Sequence, residues 1–180
     1  MKVTIIMLAT HYAELVSRLF PPGNTDEQFG CGILGVSHTP SGCNLLLRQF
    51  IVADASCLIR QSGASVRPDP RFVEYVWTLA EKSRSSLLDC HTHPFCDTHV
   101  RFSPIDDHDA CDGFPKMVKR LGPGPHASIV FGRKSLDAQW YDAQSRTIRP
   151  VGEVKILGEK LQTIVPTSAD GSTALKVTNR

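Results

Sequence analysis

Apolar and polar positions along this chain fall into short alternating runs separated by three helical patterns. Residues 2–8 read as a strand. Residues 10–20 read as a helix with Tyr12, Leu15, Val16 and Leu19 on one stripe, ended by Pro21-Pro22-Gly23. Residues 29–37 and 44–52 read as strands joined by a turn at Thr39-Pro40-Ser41-Gly42. Pro68-Asp69-Pro70 starts a second helix with Asp69 as N-cap and Phe72, Tyr75, Val76 and Leu79 as its apolar face. Residues 86–93 form a strand, and residues 104–121 are helical at least in part, with Gly113 and Pro115 as interruptions. Residues 126–131, 136–141 and 147–154 complete the order as three more strands. Alternating elements of this kind place helices on both sides of a mixed sheet.

Composition narrows the class. With 180 residues and 41% apolar content the chain can bury one sizeable core. The net charge is +2 with both signs interspersed, which argues against a nucleic-acid stripe or a membrane-surface helix. The opening apolar run is too short to span a bilayer and lacks a cleavage site, so a cytoplasmic protein is expected. Its six cysteines include no Cys-x-x-Cys pair, and reduced thiols are the expectation. Beyond Gly158 the chain turns polar and weakly patterned, which predicts a flexible tail or linker over residues 158–180 after a domain spanning 1–157.

The chemistry concentrates in His91-Thr92-His93-Pro94 and Ser103-Pro104-Ile105-Asp106. Side chains two apart on a strand leave the sheet on the same face. Both imidazoles would therefore share a face, with Thr92 turned into packing and Pro94 ending ladder pairing. Ser-Pro-x-Asp is a helix start, with Ser103 as N-cap, Pro104 at N1 and Asp106 reaching back. That reading is compatible with a second one, in which the helix end presents Asp106 as a ligand and Ser103 as a hydroxyl donor. Two histidines and an aspartate can supply three ligands to a catalytic zinc, leaving the fourth position for water.

The joint pattern, His-x-His-Pro followed by Ser-x-x-Asp, resembles the JAMM (MPN-domain) metalloproteases, which also carry a glutamate far upstream. The resemblance covers roughly residues 1 to 155. It implies a three-layer α/β/α sandwich around a mixed, curved sheet, one Zn2+ per chain held by His91, His93 and Asp106, and hydrolysis of isopeptide or peptide bonds, often in conjugates of ubiquitin or ubiquitin-like modifiers. Family members place the glutamate where an apolar, glycine-containing strand begins, which points to Glu27, just before Phe29-Gly30-Cys31-Gly32. Glu14 is the competitor, but it lies off the apolar stripe of the first helix. In the implied mechanism the metal lowers the pKa of its water to about 7 and polarises the scissile carbonyl. Glu27 is the general base and then the acid, and Ser103 donates to the developing oxyanion. The spacer between His93 and Ser103 is slightly longer than the commonest family form.

The helix and Pro-Gly break before the glutamate look closer to bacterial members associated with ubiquitin-like conjugation, antiphage operons among them. That implies a ubiquitin-like modifier or its conjugates as partner, together with an adenylating protein or fused domain. Other readings are a zinc hydrolase of another amide or small molecule and a non-catalytic MPN scaffold. Cys96 could approach the metal but reads better as a plain loop thiol; His99 and His108 lie near the motif, His99 as an exposed loop residue. The acids Asp107, Asp109 and Asp112 suit the start of the helix, and His126 reads as structural. Residues 95–102 and 56–66 are the candidates for lining a substrate groove.

Overall fold

The computed structural model describes residues 1–169 and 174–177. Twelve strands and three α-helices alternate along them: β1 (Lys2–Leu8), α1 (Ala9–Leu19), β2 (Phe29–Thr39), β3 (Gly42–Val52), β4 (Leu58–Ser62), β5 (Ser65–Pro68), α2 (Pro70–Lys82), β6 (Ser86–Thr92), α3 (Pro104–Leu121), β7 (Ala127–Phe131), β8 (Leu136–Asp142), β9 (Thr147–Pro150), β10 (Glu153–Leu157), β11 (Leu161–Ile164) and β12 (Leu175–Lys176). Ten strands form one mixed sheet in the order β11-β10-β1-β3-β2-β6-β7-β8-β9-β12, and β4 and β5 form a separate hairpin. The fold is therefore mixed α/β around a large mixed sheet.

Successive residues of β6 sort the interior into two cores. Leu88 and Cys90 join Val3, Ile5 and Met7 of β1 and Leu15 and Leu19 of α1. Leu87, one residue away, joins Phe72, Val76 and Ala80 of α2 and Phe114 and Met117 of α3. Strand alternation sends neighbours to opposite faces, so α1 covers one face and α2 with α3 the other. His91 has the parity of Leu87, which puts it on the α3 side.

The sheet curls on itself at one seam. Residues 147–154 were expected to form one strand, but they divide into β9 and β10, which stand near opposite ends of the strand order with two residues between them. Val151 donates its N–H to Ala138 of β8, and Gly152 donates to Val3 of β1, both at 2.9 Å. Two adjacent amides thus bridge strands far apart in the order, and the sheet must bend around the α1 core to allow it. Pro150 has no N–H to carry the ladder onward, which is the local reason the strand stops there.

Two further expectations change. Tyr75 is 55% exposed, because the buried face of α2 is the narrower i, i+4, i+8 row of Phe72, Val76 and Ala80. The third helix runs unbroken through Gly113 and Pro115, its Phe114 and Met117 held in the core. After Gly158 the chain adds β11 beside β10 and β12 beside β9, and Thr167 and Ser168 bond to Leu136 and Asp137 of β8. Residues 170–173 and 178–180 of the expected tail lie outside the described residues. Among the described residues no helix is long and apolar enough to cross a membrane.

Candidate metal centre

Strand β6 ends where its two histidines emerge. It pairs parallel with β7, and α3 makes the crossover between them. Loops at the carboxyl ends of such strands are where open α/β sheets collect ligands. His91 and His93 leave β6 there on one face, both half-buried. Thr92 between them is fully buried on the other face.

Asp106 arrives from the first turn of α3. Ser103 is the N-cap: its Oγ accepts from the Asp106 N–H at 3.3 Å, and the Asp106 carboxylate accepts from the Ser103 N–H at 2.6 Å. This reciprocal box fixes the carboxylate toward the histidines. The Ser103 hydroxyl proton is left uncommitted by these bonds.

Three donor atoms converge. His91 Nε2 and His93 Nε2 lie 3.3 Å apart; Asp106 Oδ1 is 3.2 Å from His91 Nε2, and Asp106 Oδ2 is 3.4 Å from His93 Nε2. A tetrahedral ion with bonds of about 2.0–2.1 Å has ligand-to-ligand edges of about 3.3–3.4 Å. The three residues thus could hold a metal ion with little adjustment. The Phe102 ring stands beside that of His91, with 6.2 Å between the ring centres.

Glu27 is brought to the same place by strand register. Phe29 pairs with His91 across β2 and β6, so two residues earlier Glu27 comes opposite His93. Two bonds extend the pairing past the end of the ladder: Thr92 N–H to the Gln28 carbonyl at 3.1 Å, and Gln28 N–H to the Thr92 hydroxyl at 2.8 Å. The β4–β5 hairpin holds Glu27 from the other side. Its N–H donates to the Ser62 carbonyl at 2.9 Å, and its carbonyl accepts from Gln61 Nε2 at 3.0 Å. The carboxylate is 3.7 Å from His93 Nε2, and Glu27 is 7% exposed. Glu14 lies on the exposed face of α1, the helix that packs on the opposite side of the sheet.

The electrostatics follow from this crowding. Burial pushes the Glu27 carboxyl up, while His91 and His93 pull it down less strongly. Burial acts the same way on Asp106, but hydrogen bonds from both histidines and the Ser103 backbone win and hold it well below the usual carboxylate range. Burial alone would lower His93; the Asp106 hydrogen bond, the charges of Asp106 and Glu27 and the Arg101 backbone raise it instead. The cluster is thus built to keep Asp106 anionic while leaving Glu27 the more easily protonated acid.

Nearby residues sort as follows. Cys96 stands outside the group able to hold a metal; its N–H donates to the His93 carbonyl and its own carbonyl accepts from Arg133. His99, His108, Asp109 and Asp112 are exposed. Sequence reasoning had Thr92 turned into packing but missed the work of its hydroxyl, whose partner is 64 residues away. It also missed β4–β5 as a hairpin. No protein-family model and no curated protein sequence matches the chain.

Proposed function

We propose that this chain is a zinc metallopeptidase of the JAMM type, cleaving at the C-terminus of a ubiquitin-like modifier in its conjugates or its precursor. The observation that carries the reading is the meeting of Glu27 with His91, His93 and Asp106, the three donors spaced by 3.2–3.4 Å. Two imidazoles and a carboxylate are the ligand set of hydrolytic zinc sites. The helices on both faces of the curled sheet are in keeping with the α/β/α arrangement of that family.

A bound zinc ion would supply Lewis-acid activation of a water and of the scissile carbonyl. The remaining work belongs to the chain. Glu27, raised by burial, takes a proton from the attacking water and returns it to the leaving amine. Ser103 donates its free hydroxyl proton to the oxygen on which negative charge develops. The β4–β5 hairpin and the loop of residues 95–102 border Glu27 and the histidines, and an extended C-terminal segment of the modifier lies between them as an added strand.

The test is metal content together with cleavage of a ubiquitin-like protein bearing a C-terminal extension. Wild type and Glu27→Gln each retain one zinc, and cleavage falls by about two to four orders of magnitude in the variant. Equal cleavage by both proteins, at full zinc occupancy, removes Glu27 from the mechanism. Well-folded protein without zinc supports the scaffold reading instead.

A further inference from the structure

A peptide unit is planar, so one held at both its C=O and its N–H is fixed as a rigid plate. The unit joining Glu27 to Gln28 is held in this way, by side chains from two different strands. Its C=O accepts from Gln61 Nε2 of β4 at 3.0 Å, and its N–H donates to the Thr92 hydroxyl of β6 at 2.8 Å. The preceding unit is held through the Glu27 N–H, which donates to the Ser62 carbonyl at 2.9 Å. Both backbone dihedrals of Glu27 are therefore set, and with them the direction in which its side chain leaves the main chain.

No regular element does this for Glu27. The pairing of β2 with β6 begins at Phe29 and that with β3 at Gly30, so residue 27 stands outside both ladders. Asp106, by contrast, is aimed by a helix cap. The hairpin takes over the task. Its strands pair only with each other, and among the described residues the hydrogen bonds that tie them to the rest of the chain all end on Glu27. Gln61, half-buried, supplies the side chain in that tie. A neutral hydrogen bond adds little net stability, and a glutamine gives up much rotamer freedom to make one. What the bond secures is position: the carboxylate it steadies lies 3.7 Å from His93 Nε2.

We infer that Gln61 is a positioning residue for the general base: its amide holds the Glu27–Gln28 peptide unit against the Thr92 hydroxyl and so aims the Glu27 carboxylate at the metal-ligand group. This role rests on the peptidase reading. Gln61 acts through Glu27 and not on the substrate, so its contribution belongs to kcat. A side chain that merely walled the groove would act on KM.

The test uses the full chain with its zinc content measured, wild type beside Gln61→Met and Gln61→Asn. Methionine keeps the length and loses the donor; asparagine keeps the amide on an arm one carbon shorter. Because a misplaced reacting group loses rate steeply, both variants lower kcat on the extended ubiquitin-like substrate by about 10- to 100-fold, with KM changed less than about twofold. Zinc content and thermal midpoint stay close to those of the wild type. In a Glu27→Gln background the same substitutions leave the residual rate nearly unchanged, since the group they position is gone. A second readout needs no substrate: through-space NMR contacts between the Glu27 methylenes and the His93 ring weaken in both variants. A loss confined to KM assigns Gln61 to the groove wall and overturns the inference. So do an unchanged kcat in both variants, losses that multiply with that of Glu27→Gln, or unchanged contacts between Glu27 and His93. Absence of zinc or of cleavage in the wild type strikes the proposed function instead, and the NMR contacts then decide by themselves whether Gln61 places Glu27.

Discussion

Thr92 does more for the site than its place between two histidines suggests. Its hydroxyl accepts from Gln28 and its N–H donates to Gln28, which pins the residue after Glu27. Thr92→Val keeps the shape but strands the Gln28 N–H, so we expect a loss of about 1–3 kcal/mol in denaturant unfolding and, on the proposed function, weaker cleavage with His91, His93 and Asp106 unchanged. His126 makes a second residue-scale prediction. It is 1% exposed, accepts from the Leu87 N–H through Nδ1, and burial lowers it from the usual 6.5 to about 4. A base depressed by folding contributes stability above its unfolded pKa and loses it as pH falls toward the folded value. The gap corresponds to roughly 3 kcal/mol, lost between about pH 6.5 and 4. Urea unfolding across that interval should weaken more steeply in wild type than in His126→Asn, whose carbonyl can still accept from Leu87; parallel curves would discard the assignment. At this scale the sequence was informative where the signal was local. His-x-His at a strand's period and Ser-Pro-x-Asp at a helix start both declare geometry within a few residues. The partner of Thr92 is set by strand register, which no short window contains.

At the scale of elements, α3 joins function to stability. Its N-terminal box aims Asp106, and its far end is tied to α2 by Arg120, which reaches Glu74, Thr78 and Glu81 and lies over the Trp77 ring. Gly113 sits in its middle with nothing within 4 Å of where a Cβ would be. Gly113→Ala should therefore stabilise the protein by about 0.5–1 kcal/mol in chemical denaturation, and a loss would mean that the helix needs this glycine. The β4–β5 hairpin escaped the sequence reading because its strands are five and four residues long and lack a strong alternation. Its tip is close to the loop after the histidines: a Cβ on Gly63 would lie 2.7 Å from the Phe95 ring. Phe95 is 72% exposed, so its removal spares the core. On the proposed function, Phe95→Ala should raise KM for a modifier substrate several-fold with zinc content and thermal midpoint unchanged; unchanged kinetics would exclude this loop from the proposed groove.

For the whole molecule, the order of elements predicted a mixed α/β fold, and the structure has a large mixed sheet with buried cores formed with α1 and with α2 and α3. Strand order was not legible. Residues 147–154 carry one continuous strand pattern, and only Pro150 and Gly152 hint at the break. The curl depends on pairings between the first strand and the last third of the chain, and these leave no mark in local periodicity. Separation in sequence also explains the site: Glu27, the two histidines and Asp106 lie on three elements that meet only when β2 pairs with β6 and α3 crosses to β7.

The seam at Val151 and Gly152 governs when the molecule can finish folding. Thr4 to Leu8 pair with Glu153 to Leu157, so β1 waits during synthesis for a strand made some 150 residues later. Until then β1 has β3 on one side and a bare edge on the other, rich in Ile5, Ile6 and Met7. Such an edge invites pairing with another nascent chain. Non-local parallel pairing of this sort also forms slowly. A chaperone that shields nascent β1 until β10 is made should raise the yield of intact protein.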